Sequence, residues 1–207
     1  MSGRPICGLY VITAAADERD ESIVTQVRYA IDGGARLVQY RDKSSDSVRR
    51  MRSATALAEL CRGREVPFLV NDDVELAHAV GADGVHLGKD DASLRDARIF
   101  LGPAAVIGVS CYNRFDLARR AEAGGADYVA FGSFFPSPTK PDAVQASLEL
   151  LQRAREALHI PIVAIGGISP ENGSKLIDAG ADALAVIDGV FGQSDILAAA
   201  QRYARLF

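Results

Sequence analysis

The side chains best suited to chemistry fall in short clusters of mixed polarity. Gln39-Tyr40-Arg41-Asp42-Lys43 sets an amide and two cations within five positions. With a side-chain period of two, Gln39 and Arg41 point to one side of a strand end and Lys43 can follow them, a set suited to an anionic ligand. A solvated charged loop explains this pentapeptide equally well when it is taken alone. Asn71-Asp72-Asp73 and His86-Leu87-Gly88-Lys89-Asp90-Asp91 supply the acids. Carboxylates from two neighbouring loops beside an arginine and lysines suit a Mg2+-diphosphate arrangement. Mg2+ commonly takes one or two carboxylates and fills its octahedron with phosphate oxygens and water. Helix capping competes: Asp72 or Asp73 could cap a helix from Val74, and Asp91 or Ser93 one from Leu94. Capping accounts for each acid singly but not for their coincidence with the cations.

A second group of residues suits phosphate without metal. The run from Phe131 to Pro141 is long and rich in hydroxyls for a connection, and Ser137, Thr139 and Lys140 within it could together bind phosphate oxygens. Gly166-Gly167-Ile168-Ser169-Pro170 predicts a turn with Ser169 as helix N-cap and Pro170 at the first helical position. Ile187-Asp188-Gly189 ends another apolar run. Backbone N–H groups in such turns hold phosphate readily where helix N-termini lie behind them. Other chemistries lack their residues. Cys7, Cys61 and Cys111 are an odd set with no CxxC spacing, and His78, His86 and His159 are scattered, so a disulfide framework or structural zinc is disfavoured. There is no HExxH, GxSxG or, after the first strand, GxGxxG, which removes zinc and serine hydrolases and dinucleotide-binding folds.

The elements that position these clusters follow from a repeat. Gly34-Ala35-Arg36, Gly81-Ala82-Asp83, Gly125-Ala126-Asp127 and Gly180-Ala181-Asp182 each run into an apolar stretch. They are spaced by about 45 to 55 residues, roughly two strand-plus-helix units, so four periods give eight units. Strands are predicted at 8–12, 37–40, 68–70, 84–87, 106–109, 128–131, 162–165 and 183–187. Helices are predicted at 22–32, 47–61, 74–80, 94–100, 115–123, 148–158, 170–179 and 196–206. Strict alternation implies a parallel sheet, and eight units of about 26 residues imply a compact α/β (βα)8 TIM barrel. The glycine of each phrase ends a helix in the left-handed conformation and has no functional meaning by itself. A barrel places its site at strand C-termini, which is where all the clusters above fall.

The 207 residues, 48% hydrophobic and 24% charged, suit one domain over 1–207. A net charge of −4 argues against a broad nucleic-acid face or a basic membrane tail. The longest apolar runs, such as 160–165, are strand-sized, and no signal-peptide pattern opens the chain, so a cytoplasmic protein is expected. A homo-oligomer is compatible with all of this.

The chain resembles the thiamine phosphate synthase family from about Gly8 to Phe207. The resemblance rests on the clusters at 39–43, 70–73 and 86–91 together with Gly108-Val109-Ser110, Pro136-Ser137-Pro138-Thr139-Lys140 and Ala164-Ile165-Gly166-Gly167-Ile168. It implies an enzyme that joins hydroxymethylpyrimidine diphosphate to hydroxyethylthiazole phosphate with release of pyrophosphate. It implies that Gln39, Arg41, Lys43, Asn71, Ser110 and Lys140 hold the aminopyrimidine and its diphosphate, with Tyr40 and Asp42 in the same motif. It further implies that Asp72 and Asp91 bind Mg2+, and that Ser137, Pro138, Thr139, Gly167, Ile187 and Asp188 hold the thiazole phosphate. Arg41, Lys43, Ser110 and Lys140 are the expected catalytic set. Four positions depart from the commoner pattern: Lys89 for glutamine, Asp90 for glutamate, Tyr112 for a frequent histidine and Asp188 for a serine. A related thiazole tautomerase would need its histidine at Tyr112. A non-catalytic phosphate-binding barrel is the other alternative.

Overall fold

The computed structural model describes residues 6–13, 22–136 and 144–207. Strands and helices alternate along them. The order is β1 (Gly8–Ile12), α1 (Ile23–Asp32), β2 (Ala35–Tyr40), α2 (Ser47–Gly63), β3 (Phe68–Asn71), α3 (Val74–Val80), β4 (Gly84–Leu87) and α4 (Leu94–Leu101). It continues with β5 (Val106–Tyr112), α5 (Phe115–Ala123), β6 (Tyr128–Phe131), α6 (Leu148–Ala157), β7 (Ile162–Ile165), α7 (Gly173–Asp178), β8 (Ala183–Val186), α8 (Asp188–Phe191) and α9 (Ile196–Ala204). All eight strands pair in parallel and in chain order, and β8 closes on β1. The structure is thus the (βα)8 barrel expected from the repeat. Among the described residues no helix is long and apolar enough to cross a membrane.

Period-two alternation builds two apolar layers. Tyr10, Ile12, Leu37, Leu69, Tyr128 and Val163 fill the barrel interior. Their strand neighbours Leu9, Val11, Val38, Tyr40 and Val129 face outward to pack under the helices. Side-chain oxygens cap most helices: Ser22, Asp46, Asp73, Ser93, Ser147 and Asp195 each accept a backbone N–H of the first turn.

The repeated phrase has more in it than a turn. Its glycines do take positive φ, as at Gly81 with φ 62. The aspartate that follows is a staple. Asp83 accepts the Phe68 N–H at 2.8 Å, Asp127 the Ile107 N–H at 2.7 Å and Asp182 the Ile162 N–H at 2.8 Å. Each carboxylate therefore ties the start of one strand to the start of its neighbour, at the barrel end opposite the predicted site.

Most boundaries agree within two residues, and three differences bear on the site. The strand predicted at 106–109 continues to Tyr112, because the pairing register shifts between Ser110 and Tyr112 and takes up the extra residue as a bulge. The strand predicted at 183–187 stops at Val186, since Ile187 turns the chain into the short helix α8, which was not predicted. The seventh helix begins at Gly173 instead of Pro170. Ser169 still caps, but it caps a turn: its Oγ accepts the Glu171 N–H at 3.3 Å, and Asn172 Oδ1 accepts the Ser169 N–H at 2.8 Å.

Candidate active site

The strand C-termini open into a cavity of about 680 Å³. Inward positions on successive strands line it: Gln39 on β2, Asn71 on β3, His86 on β4, and Ser110 and Tyr112 on either side of the β5 bulge. Arg41 stands just beyond β2, continuing the face of Gln39. Tyr10, Ile12, Ala130, Val163 and Ile165 supply apolar surface to it. Such a mixture of an apolar wall with a few converging polar groups is the usual make-up of a small-molecule site.

Three polar residues of this floor escaped the sequence reading as site members. Gln39 Nε2 donates to the Tyr10 hydroxyl. That hydroxyl meets Tyr128 Oη at 3.0 Å, Tyr128 Oη meets His86 Nδ1 at 2.9 Å, and His86 Nε2 meets Ser110 Oγ at 2.8 Å. Burial pushes both phenols above their ordinary range, so each keeps its proton. Tyr10 and Tyr128 were read only as strand residues, because aromatic side chains inside a strand carry no sign of which face they take.

The acids divide sharply. Asp73 caps α3 through the Leu76 N–H at 2.8 Å and pairs with Arg50 at 2.6 Å. Ser93 caps α4 through the Asp96 N–H. That leaves Asp72 and Asp91 outside the capping role. Asp72, at φ 56, takes an ion pair from Lys43 and a hydrogen bond from Asn71 Nδ2 at 2.8 Å. Its own N–H donates to the His86 carbonyl at 2.9 Å, which ties it to the end of β4. Asp91 folds back on the same strand end, accepting the Gly88 N–H at 2.6 Å. Lys43, Asp72 and Asp91 stand beside the cavity without lining it.

Tyr40 and Asp42, expected with the binding residues, are turned elsewhere. The same alternation that turns Gln39 inward buries Tyr40 under the helices, where its hydroxyl donates to Asp42 at 3.2 Å. Burial and then the Asp42 charge push the Tyr40 phenol up to about 12. Asp42 holds both its loop and α2, accepting the Ser44 N–H at 2.8 Å and pairing with Arg49 at 3.0 Å. Burial opposes its ionisation, yet the Ser44 hydrogen bonds and Arg49 outweigh burial and lower its pKa.

The opposite wall is backbone. Gly166, Gly167, Ile187, Asp188, Gly189 and Gln193 line it. Phe134 and Phe135 N–H groups donate to the carbonyls of Ile165 and Gly166 at 3.2 and 3.0 Å, locking the loop after β6 onto the turn after β7. Gly167 takes φ 62, and a Cβ there would come within 2.6 Å of the Phe135 carbonyl oxygen, so only glycine fits. After β8 the first turn of α8 begins at Asp188, leaving its leading N–H groups at the cavity wall, the usual position of a barrel phosphate site. Ser137, Pro138, Thr139 and Lys140 lie outside the described residues.

Comparison with known proteins settles the family. The thiamine monophosphate synthase family model matches residues 9–190. The chain belongs to the thiamine monophosphate synthase family. A thiamine-phosphate synthase of Thiobacillus denitrificans is 54% identical over 200 residues, covering 97% of this chain and 94% of the relative. Its counterpart in Nitrosococcus oceani is 50% identical over 202 residues, covering 98% and 93%. Among solved structures, the thiamine phosphate pyrophosphorylase of Pyrococcus furiosus superposes with a TM-score of 0.87 at 38% identity, covering 97% of this chain and 95% of that one.

Against this family background the departures acquire places. Tyr112 lines the cavity, and its hydroxyl accepts the Lys89 N–H at 3.2 Å, so the aromatic ring links the β5 bulge to the loop carrying Asp91. Asp188 is exposed in the first turn of α8. The identity to thiamine-phosphate synthases extends along nearly the whole chain.

Proposed function

We propose that this thiamine-phosphate synthase, a transferase that forms thiamine phosphate with release of pyrophosphate, works by a dissociative alkyl transfer in the cavity described above. The observation that supports it most directly is that one cavity lies between two sets of groups suited to anions, one on its rim and one in its wall. Arg41 and the Lys43–Asp72–Asp91 rim stand at the ends of β2 to β4, and the N–H turns of Gly166-Gly167 and α8 stand at the ends of β7 and β8. A hydroxymethylpyrimidine diphosphate fits the first wall and a hydroxyethylthiazole phosphate the second, with the reacting atoms between them.

The carbon–oxygen bond of the pyrimidinylmethyl diphosphate breaks, its electron pair leaving with pyrophosphate, and the electron-rich pyrimidine stabilises the resulting cation. The thiazole nitrogen then donates its lone pair to that carbon and forms the carbon–nitrogen bond. No protein nucleophile is required for this path. The protein's tasks are to hold the two rings in contact and to stabilise charge growing on the diphosphate. Gln39, Asn71 and Ser110 orient the pyrimidine, and Arg41, Lys43 and Lys140 meet its diphosphate. Ser137, Pro138, Thr139, Gly167, Ile187 and Asp188 serve the thiazole phosphate, Asp188 through its backbone.

Asp72 and Asp91 are hard oxygen donors on neighbouring strand ends, neither used as a helix cap, and Asp72 already holds a cationic partner in Lys43. This donor set fits Mg2+. Among the described residues no cluster of three or more His, Cys, Asp or Glu could hold a metal, so the two carboxylates would leave the rest of the shell to phosphate oxygens and water. Bound there, Mg2+ would supply neutralisation of the departing diphosphate. Incubation with both substrates and Mg2+, followed by chromatography of thiamine phosphate, tests the reading. Product is expected, and none in the presence of Mg2+ would overturn it. Calorimetry adds a sharper check: Mg2+ should bind weakly alone and at least about tenfold more tightly with pyrophosphate present.

A further inference from the structure

The five side chains across the barrel interior form one connected path whose hydrogens can be assigned from one end. Gln39 sits in an almost closed position, 2% exposed, and its Nε2 faces the Tyr10 hydroxyl. An amide nitrogen only donates, so the Tyr10 oxygen accepts. The Tyr10 proton is then available for Tyr128 Oη, and the Tyr128 proton for His86 Nδ1. A ring nitrogen that accepts has no proton, so a Tyr128 hydroxyl donating to Nδ1 would leave the His86 proton on Nε2, facing Ser110 Oγ at 2.8 Å. The direction runs from the Gln39 end, and the two links in the middle are almost fully buried, Tyr10 at 1% and Tyr128 at 0% exposure.

The rings are also held in place. His86 stacks on Tyr128 with centroids 5.6 Å apart and planes at 27°. Tyr10 meets Tyr128 edge-on at 6.1 Å. The Tyr128 ring occupies the space a side chain at position 108 would need, which accounts for Gly108 on β5.

We propose that Tyr10, Tyr128 and His86 are positioning residues that form a directed hydrogen-bond relay, fixing Gln39 as an acceptor through Oε1 and Ser110 as a hydroxyl donor toward the pyrimidine substrate. The polarity matches a ring edge that offers an N–H on one side and a bare ring nitrogen on another, as an aminopyrimidine does. Only this substrate assignment rests on the function proposed above. The internal direction of the relay stands apart from it.

The test therefore has two arms. The protein labelled with 15N-histidine is examined by NMR without substrate at mildly alkaline pH, the His86 signals being identified by their loss in His86→Gln. The expected spectrum has a protonated, pyrrole-type Nε2 and an unprotonated, hydrogen-bonded Nδ1, and Tyr128→Phe shifts that Nδ1 signal toward its unbonded position. A proton on Nδ1, or an Nδ1 signal that ignores Tyr128→Phe, would overturn the relay. In the kinetic arm, His86→Leu should raise KM for the pyrimidine diphosphate about tenfold with little change in KM for the thiazole phosphate. His86→Gln, whose amide N–H can replace Nε2, should restore KM to within about threefold of the parent. Equal effects on both KM values, or no rescue by glutamine, would reduce His86 to a packing residue. Absence of turnover in the parent protein would count against the reaction while leaving the NMR result intact.

Discussion

Asp73 and Asp91 share a side chain and differ in what their carboxylates do. Asp73 spends its oxygens on the Leu76 N–H and Arg50, both structural partners. Asp91 is exposed and accepts a single loop N–H from Gly88. Asp73→Ala should therefore lower the unfolding free energy by about 1–2 kcal/mol, the cost of a lost N-cap, while the Mg2+ concentration for half-maximal rate stays put. Asp91→Ala should do the reverse: urea unfolding nearly unchanged, with that Mg2+ concentration rising about tenfold or more. Unaltered Mg2+ dependence in Asp91→Ala would remove it from the site. Asp188 poses a different question, since a carboxylate in the first turn of α8 repels a phosphate that the same turn attracts. Asp188→Ser should leave KM for the thiazole phosphate equal or lower it by about two- to fivefold, measured at low salt. A large rise would give the carboxylate a role of its own.

At the scale of elements, the strands were legible because interior and exterior positions alternate, and Gln39 and Arg41 were placed on the cavity by the same count. What stayed hidden depended on partners distant in sequence. Gly-Ala-Asp reads as a turn, yet Asp182 reaches back 20 residues to the Ile162 N–H, and nothing local marks that bond. Tyr10 and His86 join across 118 and 42 residues through Tyr128, a juxtaposition made only by barrel closure. Helix α8 has four residues, too few to show a period. Tyr40 and Asp42 were grouped with their neighbours by motif, although alternation turned Tyr40 away from the cavity. The staples predict a separation of stability from activity. Asp127→Ala and Asp182→Ala should each cost about 1–3 kcal/mol, because a strand N–H loses its acceptor. Since those bonds lie at the barrel end away from the site, kcat at a temperature well below unfolding should stay within about twofold. A fall in kcat without loss of stability would contradict this division.

Barrel closure also decides how the whole molecule opens. Strand β8 hydrogen-bonds to β1, so among the described residues no strand is an edge that can peel away at low cost. The three cysteines sample this property at different depths: Cys7 is exposed just before β1, Cys61 lies buried on α2 against the strands, and Cys111 is buried in the β5 bulge. Burial, with a nearby aspartate in each case, pushes the Cys61 and Cys111 thiols up to about 12. Only the thiolate attacks an alkylating reagent, so near pH 8 both are shielded by access and by protonation. Native protein treated with iodoacetamide should take one label rapidly, at Cys7. Cys61 and Cys111 should then react slowly, and their rates should rise in parallel through the urea transition, as required when the outer helix layer and the strands separate in one cooperative event. If Cys61 reacted at urea concentrations that leave Cys111 protected, α2 would be leaving a still-closed barrel. The loop at 41–46 that joins β2 to α2 would then be anchored from the strand side alone, and the pairing of Lys43 with Asp72 would be lost before the fold.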